Sequence, residues 1–197
     1  PELKFLNLDF VYPDDVGKKD KKIIEDVNLT IKPGEKVAFV GGDGSGKSTI
    51  VKTLCGLYEV KSGDYMIGEN SIRELGRGEL KGRISVIYQD FIRYSMTLRE
   101  NIVLAADQKT INKSRYEHAK EAACVNEFMK SEGLADKQML GKLFKGGREI
   151  SPGYWQRIAI ARMLYRNRDI NIMDEPFTYI DGISRSKIID GIFEFLG

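Results

Sequence analysis

Histidine and cysteine are scarce in this chain of 197 residues, which has one histidine and two cysteines. Cys55 and Cys124 form no C-x-x-C pair, which excludes a zinc motif of that kind and a disulfide framework, so we expect buried thiols in a reducing cytosol. His118 falls at helical spacing with Ala122 and Val125, and no second type of metal ligand clusters nearby. We therefore interpret it as a helix-face residue, not as a ligand or a base.

A dominant charge and long apolar runs are also missing. Thirty-one Lys and Arg against twenty-nine Asp and Glu leave a formal net charge of +2. This balance argues against a nucleic-acid groove, and we interpret the basic cluster at 18–22 as a solvated hairpin loop. The apolar runs have only strand length, so no segment is predicted to span a membrane, and no signal-peptide pattern opens the chain.

What the chain does contain is a glycine-rich loop between an apolar stretch and a helical one. The loop consists of Gly41, Gly42, Asp43, Gly44, Ser45, Gly46, Lys47, Ser48 and Thr49. A phosphate chain needs several converging backbone N–H donors, and small residues let the main chain wrap that closely. Lys47 can reach the β- and γ-phosphates, and the Ser48 hydroxyl is placed to bind Mg2+. The loop therefore predicts nucleotide binding.

Periodicity along the rest of the chain predicts alternating strands and helices. The predicted strands are 6–12, 23–31, 37–40, 62–69, 83–88 and 170–173. One helix is predicted directly after the phosphate loop. Further helices are predicted over 98–129, over 151–166 and in a last amphipathic stretch around 188–193. Asn112 is the expected N-cap of the segment that carries His118, and Ser151 opens the next helix. Crossover helices around a phosphate loop imply an α/β fold with a mostly parallel sheet.

Two carboxylates follow the predicted strand 170–173, at the end of a strand where open α/β sheets bind their ligands. Asp174 would hold the shell of a Mg2+ ion. Glu175 could orient or deprotonate the water that attacks a γ-phosphate.

The motifs, in the order in which they occur along the chain, resemble those of the ATP-binding cassette (ABC) ATPases. Within this family they resemble the nucleotide-binding domains of bacterial exporters. The resemblance runs over nearly the whole chain. The matching segments are 41–49 with Walker A, 88–90 with the Q-loop, 91–102 with the exporter subgroup, 150–157 with the L-S-G-G-Q-x-Q-R signature, 170–175 with Walker B, 179–181 with the D-loop and Tyr12 with the aromatic A-loop.

The resemblance implies an ABC ATPase fold: a P-loop NTPase core with a mostly parallel sheet, an antiparallel β subdomain and an α-helical subdomain. One nucleotide-binding domain would fill 1–197. Within it, 1–88 and 158–197 would form the β subdomain and ATP-binding core, and 89–157 the Q-loop, helical subdomain and signature.

The resemblance also implies ATP and Mg2+ as cofactors and a role for each site residue. Tyr12 would stack on adenine, and Gln89 would touch Mg2+ and the attacking water. The implied catalytic residues are Glu175, Lys47 and Gln89, and the implied metal ligands are Ser48, Gln89 and Asp174. The implied nucleotide contacts are Tyr12, Gly41, Gly42, Asp43, Gly44, Ser45, Gly46, Lys47, Ser48, Thr49, Gln89, Ser151, Gly153, Tyr154 and Asp181.

The implied partners are a second nucleotide-binding domain and a transmembrane domain, fused or separate, at the cytoplasmic face of the membrane. The two cassettes of the family close head to tail, so each ATP lies between one Walker A and the other subunit's signature. No nucleic acid is expected as a partner.

The signature departs from the family pattern, because the chain has I-S-P-G-Y in place of L-S-G-G-Q. Ser151 is a good N-cap, and Pro152 then takes the first helical position, where its missing N–H costs little. Gly153 keeps the N–H that would meet the opposing γ-phosphate, but Tyr154 would bring a large ring to the dimer seam. Asymmetric family dimers tolerate one degenerate site, so a homodimer and a heterodimer both stay open.

The switch histidine of the family is the second departure. It lies on a strand past the D-loop, whereas this sequence stops at Gly197, and His118 precedes the signature and cannot replace it. We expect the domain to be truncated at its C-terminus, since ending there would leave an unpaired edge strand. A domain without a normal switch is the alternative.

Three functions are compatible with these observations. The leading one is an ATPase that powers a membrane exporter. A catalytically impaired regulatory cassette of a heterodimeric transporter is the alternative suggested by Tyr154 and the missing histidine, although Glu175 argues against it because a regulatory site needs no base. A DNA-repair ATPase is disfavoured because no heptad tract separates Walker A from the signature.

Overall fold

The computed structural model describes residues 1–11, 22–60, 62–104 and 110–197, so Tyr12 lies outside the described residues. The strands are β1 Leu3–Val11, β2 Lys22–Ile31, β3 Ser62–Ile67, β4 Asn70–Ser71, β5 Ile84–Ile87 and β6 Ile170–Met173. The helices are α1 Lys47–Leu54, α2 Arg77–Arg83, α3 Leu98–Val103, α4 Lys113–Ala122, α5 Val125–Glu132, α6 Pro152–Arg166 and α7 Gly182–Leu196. None of these described helices has the length and apolar character needed to cross a bilayer.

The chain forms two compact units, Pro1–Ile84 and Ser85–Gly197. The first contains an antiparallel sheet with the strand order β2-β1-β3-β4. Leu3 pairs with Ile31 on one side and with Ile67 on the other. This sheet confirms the predicted antiparallel β part, whereas the subdomain boundaries at 88 and 157 stay a prediction.

The burial pattern of β1 differs from the predicted alternation of Leu6, Leu8 and Phe10. Leu8 and Phe10 are buried, but Leu6 is exposed and Phe5 is buried in its place. Asn7 has a left-handed φ of 48°, and the register with β2 shifts between Phe5 and Leu8. Such an irregularity adds one residue to the strand, so residues on its two sides change face.

The segment 37–40 was predicted as a buried strand, and this prediction is wrong for the structure. The segment has no strand conformation, and Val40 is 93% exposed. Apolar composition indicates suitability for burial, but a strand forms only where a neighbour supplies ladder hydrogen bonds. No strand in the described ranges pairs with 37–40. The strand predicted at 170–173 does form, as β6 beside β5, but its residues are only half-buried.

Helix α6 is the centre of the second unit and packs against α3, α4, α5 and α7. Its predicted N-cap is confirmed, because the backbone N–H of Tyr154 donates to Ser151 Oγ at 3.3 Å and Pro152 is the first helical residue. The N-cap of α4 is confirmed in the same way: the Arg115 N–H donates to Asn112 Oδ1 at 3.0 Å. Local chemistry therefore decides where both helices begin.

The stretch 98–129, predicted as helical, is divided among α3, α4 and α5. His118 lies exposed on α4, as expected for a helix-face residue. Cys124 separates α4 from α5 with a left-handed φ of 51°, and neither Gly nor Pro marks this break in the sequence. The thiol is buried, and burial, together with the nearby Glu127, raises the pKa of Cys124. The Arg157 guanidinium donates to the Cys124 carbonyl at 3.2 Å.

Asp136 joins α3 to α4 through three side-chain contacts. Arg99 Nη2 donates to its carboxylate at 3.1 Å, the Tyr116 hydroxyl at 2.7 Å and Lys120 Nζ at 3.3 Å. Burial alone would raise the pKa of Asp136, but the contacts from Tyr116, Arg99 and Lys120 outweigh it and hold the pKa below its usual value. The charged form of Asp136 therefore stabilises the fold.

Replacing Asp136 by asparagine should lower the free energy of unfolding at pH 7 by about 1–3 kcal/mol, because the buried Lys120 ammonium loses a charged partner. Since the folded-state pKa is depressed, this contribution is complete above the unfolded value of about 3.9 and is lost as the pH falls through the folded value. The difference in melting temperature between wild type and D136N should therefore shrink below about pH 4. An equal difference at pH 7 and pH 3 would contradict an electrostatic role.

Candidate functional site

The phosphate loop leads into the N-terminus of α1 in the first unit. Gly44 and Gly46 have φ values of 76° and 91°, a left-handed region that glycine adopts without strain. A Cβ at Gly46 would lie 3.1 Å from the backbone oxygen of Ile23. The turn and the close approach to β2 both require glycine at this position, immediately before Lys47.

The Lys47 side chain folds back and bonds to the first residues of the phosphate loop. Its Nζ donates to the backbone oxygens of Gly41 at 2.7 Å and Gly42 at 2.9 Å, and lies 3.4 Å from Ser45 Oγ. These acceptors hold the ammonium against the loop that precedes α1, and the first N–H groups of α1 have no partner within the helix. Positive charge and backbone donors at one point suit a phosphate.

The hydroxyl residues that follow Lys47 have different surroundings. Ser48 is exposed at the start of α1, whereas Thr49 is buried. Asp43 is exposed on the loop. Of the two hydroxyls, that of Ser48 is therefore the one open to a metal ion.

Gln89 and Glu175 meet in the second unit, although 86 positions separate them. Gln89 Nε2 donates to Glu175 Oε2 at 3.1 Å. Gln89 follows β5 and Glu175 follows β6, and these strands are neighbours. The Asp174 N–H donates to the Ile87 carbonyl at 2.9 Å and extends the pairing towards the site. The structure thus brings together two of the residues predicted from sequence.

The backbone of Glu175 is held by Gln156 and Thr178, which the sequence patterns do not predict. Gln156 Nε2 donates to the Glu175 carbonyl at 3.2 Å, and Gln156 Oε1 accepts the N–H of Tyr179 at 3.0 Å. The Thr178 hydroxyl donates to the same Glu175 carbonyl at 3.0 Å. Gln156 lies within the signature match, but sequence offers no signal that its amide contacts a segment 19 residues later.

The signature segment packs against its own chain. The Tyr154 ring stacks on Phe128 of α5, with ring centroids 4.4 Å apart and an interplanar angle of 16°. Gly153 lies so close to Tyr179 that a Cβ would be 2.5 Å from the Tyr179 carbonyl oxygen. The large ring that we expected at a dimer seam therefore contributes to the internal packing of the second unit.

Asp181, predicted in the D-loop, is the N-cap of α7. Its Oδ1 accepts the N–H of Ser184 at 2.9 Å. Hydrogen bonds from Ser184 lower the pKa of Asp181. Asp181 therefore stabilises the start of α7 through a hydrogen bond within the chain.

The second unit contains oxygen ligands of a kind that suits Mg2+. Within the described ranges, no three His, Cys, Asp or Glu residues cluster as a metal cage. Mg2+ does not need one, since it retains waters and binds one or two carboxylates together with substrate phosphates. The Asp174 carboxylate and the Gln89 amide oxygen are hard oxygen ligands of this kind, and the Gln89 bond to Glu175 uses the amide nitrogen.

Comparison with known proteins identifies the family. Residues 24–178 match the model described as ABC transporter. The chain belongs to the ABC transporter family. The matched range contains the phosphate loop, the Gln89–Glu175 pair and the signature, while Tyr12 and Asp181 lie outside it.

Relatives of this ABC transporter domain include two bacterial transport proteins. It is 36% identical over 190 residues to the subtilin transport ATP-binding protein SpaT of Bacillus subtilis, covering 96% of this chain and 30% of SpaT. It is 34% identical over 194 residues to the nisin transport ATP-binding protein NisT of Lactococcus lactis subsp. lactis, covering 95% of this chain and 31% of NisT. The chain thus spans about a third of the length of these curated relatives.

A solved structure shows the same fold. A bacterial Atm1-family ABC exporter with ATP bound superposes with a TM-score of 0.86 at 25% identity, covering 100% of this chain and 33% of that chain. The predicted ABC ATPase fold is therefore confirmed for this ABC transporter domain.

Proposed function

We propose that this ABC transporter domain binds ATP with Mg2+ and hydrolyses it to power export through a transmembrane partner. The observation that carries the proposal is the hydrogen bond between Gln89 and Glu175. It places a carboxylate and an amide side by side at the ends of neighbouring strands, where an attacking water needs an acceptor and an orienting group.

In the first unit, Lys47 and the N–H groups at the start of α1 would bind the phosphates, and the exposed Ser48 hydroxyl would be a ligand for Mg2+. In the second unit, the Asp174 carboxylate would be a ligand for Mg2+. When bound, Mg2+ would supply positive charge that neutralises the negative charge developing on the phosphate oxygens.

Glu175 acts on the water. Gln89 donates to Glu175 Oε2, and the carboxylate retains further acceptor sites for a hydrogen of the nucleophile. This orients the water for in-line attack on the γ-phosphate and draws its proton towards the carboxylate.

Export through a partner is supported by the relatives, whose names describe transport of subtilin and nisin, and by the exporter with the same fold. We propose that the domain pairs head to tail with a second cassette and acts at the cytoplasmic face of a membrane, on a transmembrane domain. Stacking of Tyr154 on Phe128 lets the signature helix keep its fold with tyrosine in place, so both an identical and a different second cassette are compatible with the structure.

Replacing Lys47 by alanine should weaken ATP binding about 10- to 100-fold, because the phosphates lose a charge-assisted hydrogen-bond donor. Titration with ATP and Mg2+ measures the dissociation constant, and the melting temperature reports the fold. Lys52→Ala, in the last turn of the same helix, is the matched control and should bind as the wild type does. Equal affinity of K47A and wild type would refute the assignment of the phosphate site.

A further inference from the structure

We infer that Gln156 is a positioning residue for hydrolysis, which fixes the backbone of Glu175 and so places its carboxylate. The inference rests on the proposed function, in which Glu175 acts on the attacking water. Gln156 is 1% exposed, and the role of its amide lies entirely within the protein. It does not touch the exposed carboxylate itself, which Gln89 contacts.

The Gln156 amide uses both of its ends on one short segment. Its nitrogen donates to the Glu175 carbonyl at 3.2 Å, and its oxygen accepts the Tyr179 N–H at 3.0 Å. The amide therefore fastens the two ends of the turn 175–179. An amide has both a donor and an acceptor at its tip, as these two contacts require.

Glu175 needs such support because its backbone is unusual. Its φ of 49° lies in the left-handed region, which a residue with a Cβ adopts only where its surroundings enforce it. The side chain is exposed, so the direction of the carboxylate depends on the backbone that carries it. Gln156 and Thr178 hold that backbone, and Gln89 holds the tip.

The same contacts connect the signature helix to the catalytic segment. Gln156 lies in the first turns of α6, three residues after Gly153, whose close approach to the Tyr179 carbonyl excludes any side chain. The next residue, Arg157, donates to Ser184 Oγ at 2.7 Å. Three residues at the start of α6 thus contact the stretch 175–184, and a displacement of the signature would move Glu175 with it.

The test is Gln156→Met in the complete transporter that carries this domain. Methionine has a similar length and no amide, so the core stays filled while both hydrogen bonds are lost. We expect kcat for ATP to fall about 10- to 100-fold, as for a misplaced catalytic group, with ATP affinity within about twofold of wild type. The fall should be absent in a Glu175→Gln background, because Gln156 acts through Glu175. Single-turnover assays with radiolabelled ATP follow the slow residual rate there.

Gln138→Met is the matched control. Gln138 Nε2 donates to the backbone oxygens of Met139 and Gly146, both at 3.0 Å, so the same amide is lost away from Glu175. Its kcat should stay at the wild-type level. An unchanged kcat in Q156M, with turnover abolished by Glu175→Gln, would overturn the inference and leave the proposed function standing. A fall in ATP affinity and melting temperature that is equal in both backgrounds would assign Gln156 a structural role only and also overturn it. Wild-type turnover in Glu175→Gln would instead refute the proposed function.

Discussion

Glu175→Gln should bind ATP as the wild type does and hydrolyse it about 100- to 10,000-fold more slowly, because the variant keeps the shape of the side chain and removes its base. The glutamine oxygen can still accept the hydrogen bond from Gln89 Nε2, so the local structure should persist. Phosphate release measures turnover, and titration measures ATP affinity. With hydrolysis blocked, the variant should also accumulate as a closed dimer in gel filtration with ATP and Mg2+.

Glu127→Gln is a suitable control for this change. Glu127 is an exposed carboxylate whose contact is an ion pair with the exposed Lys187, at 3.2 Å. Its loss should leave turnover unchanged, since exposed pairs contribute little. If E175Q retained the wild-type rate, the role of Glu175 would be wrong. A wild-type transporter that binds ATP at this domain without turnover would instead favour the regulatory cassette.

Leu164→Ala should lower the free energy of unfolding by about 2–5 kcal/mol, the range for deleting a buried leucine side chain. Leu164 lies on α6 and is 0% exposed in the core of the second unit. Loss of its side chain leaves a cavity between α6 and the helices that pack against it. Urea unfolding of the two proteins gives the difference.

Leu143→Ala makes the same chemical change at a site that is 74% exposed. It should alter stability by no more than about 0.5 kcal/mol. Similar losses in the two variants would show that α6 is not the centre of the folded unit.

Local signals predicted those parts of the fold that local chemistry decides. Ser151 and Asn112 cap their helices as expected, because a cap depends on residues within one turn. The prediction of a strand at 37–40 was wrong because strand pairing depends on a partner strand that the residues of the segment do not specify. The predicted burial of Leu6 was wrong for a related reason. The left-handed backbone of Asn7 changes which residues of β1 face the core, and no residue pattern marks this change.

The site shows the same division. A common role of Gln89 and Glu175 at the attacking water was predicted from the motifs, whereas their direct hydrogen bond and the pairing of β5 with β6 come from the structure. The support from Gln156 was not foreseeable, because a buried amide can satisfy its hydrogen bonds in many ways and only the folded chain selects one. The stacking of Tyr154 on Phe128 was not foreseeable either, because it depends on the position of α5, which the signature does not encode. The place of Tyr154 at a seam between subunits stays a prediction.

The buried Cys124 at the break between α4 and α5 provides a natural chemical probe for local opening of the second unit. A thiol reagent reaches this sulfur only when the junction opens, so the rate of alkylation measures the free energy of that opening. Cys55, half-buried in the first unit, should react sooner and calibrates the reagent in the same sample. Any ligand that stabilises the folded second unit will slow modification of Cys124, and the logarithm of the rate will fall in proportion to the stabilisation. Mass spectrometry of the alkylated peptides that contain Cys55 and Cys124 therefore measures this opening without a fluorescent or spin label.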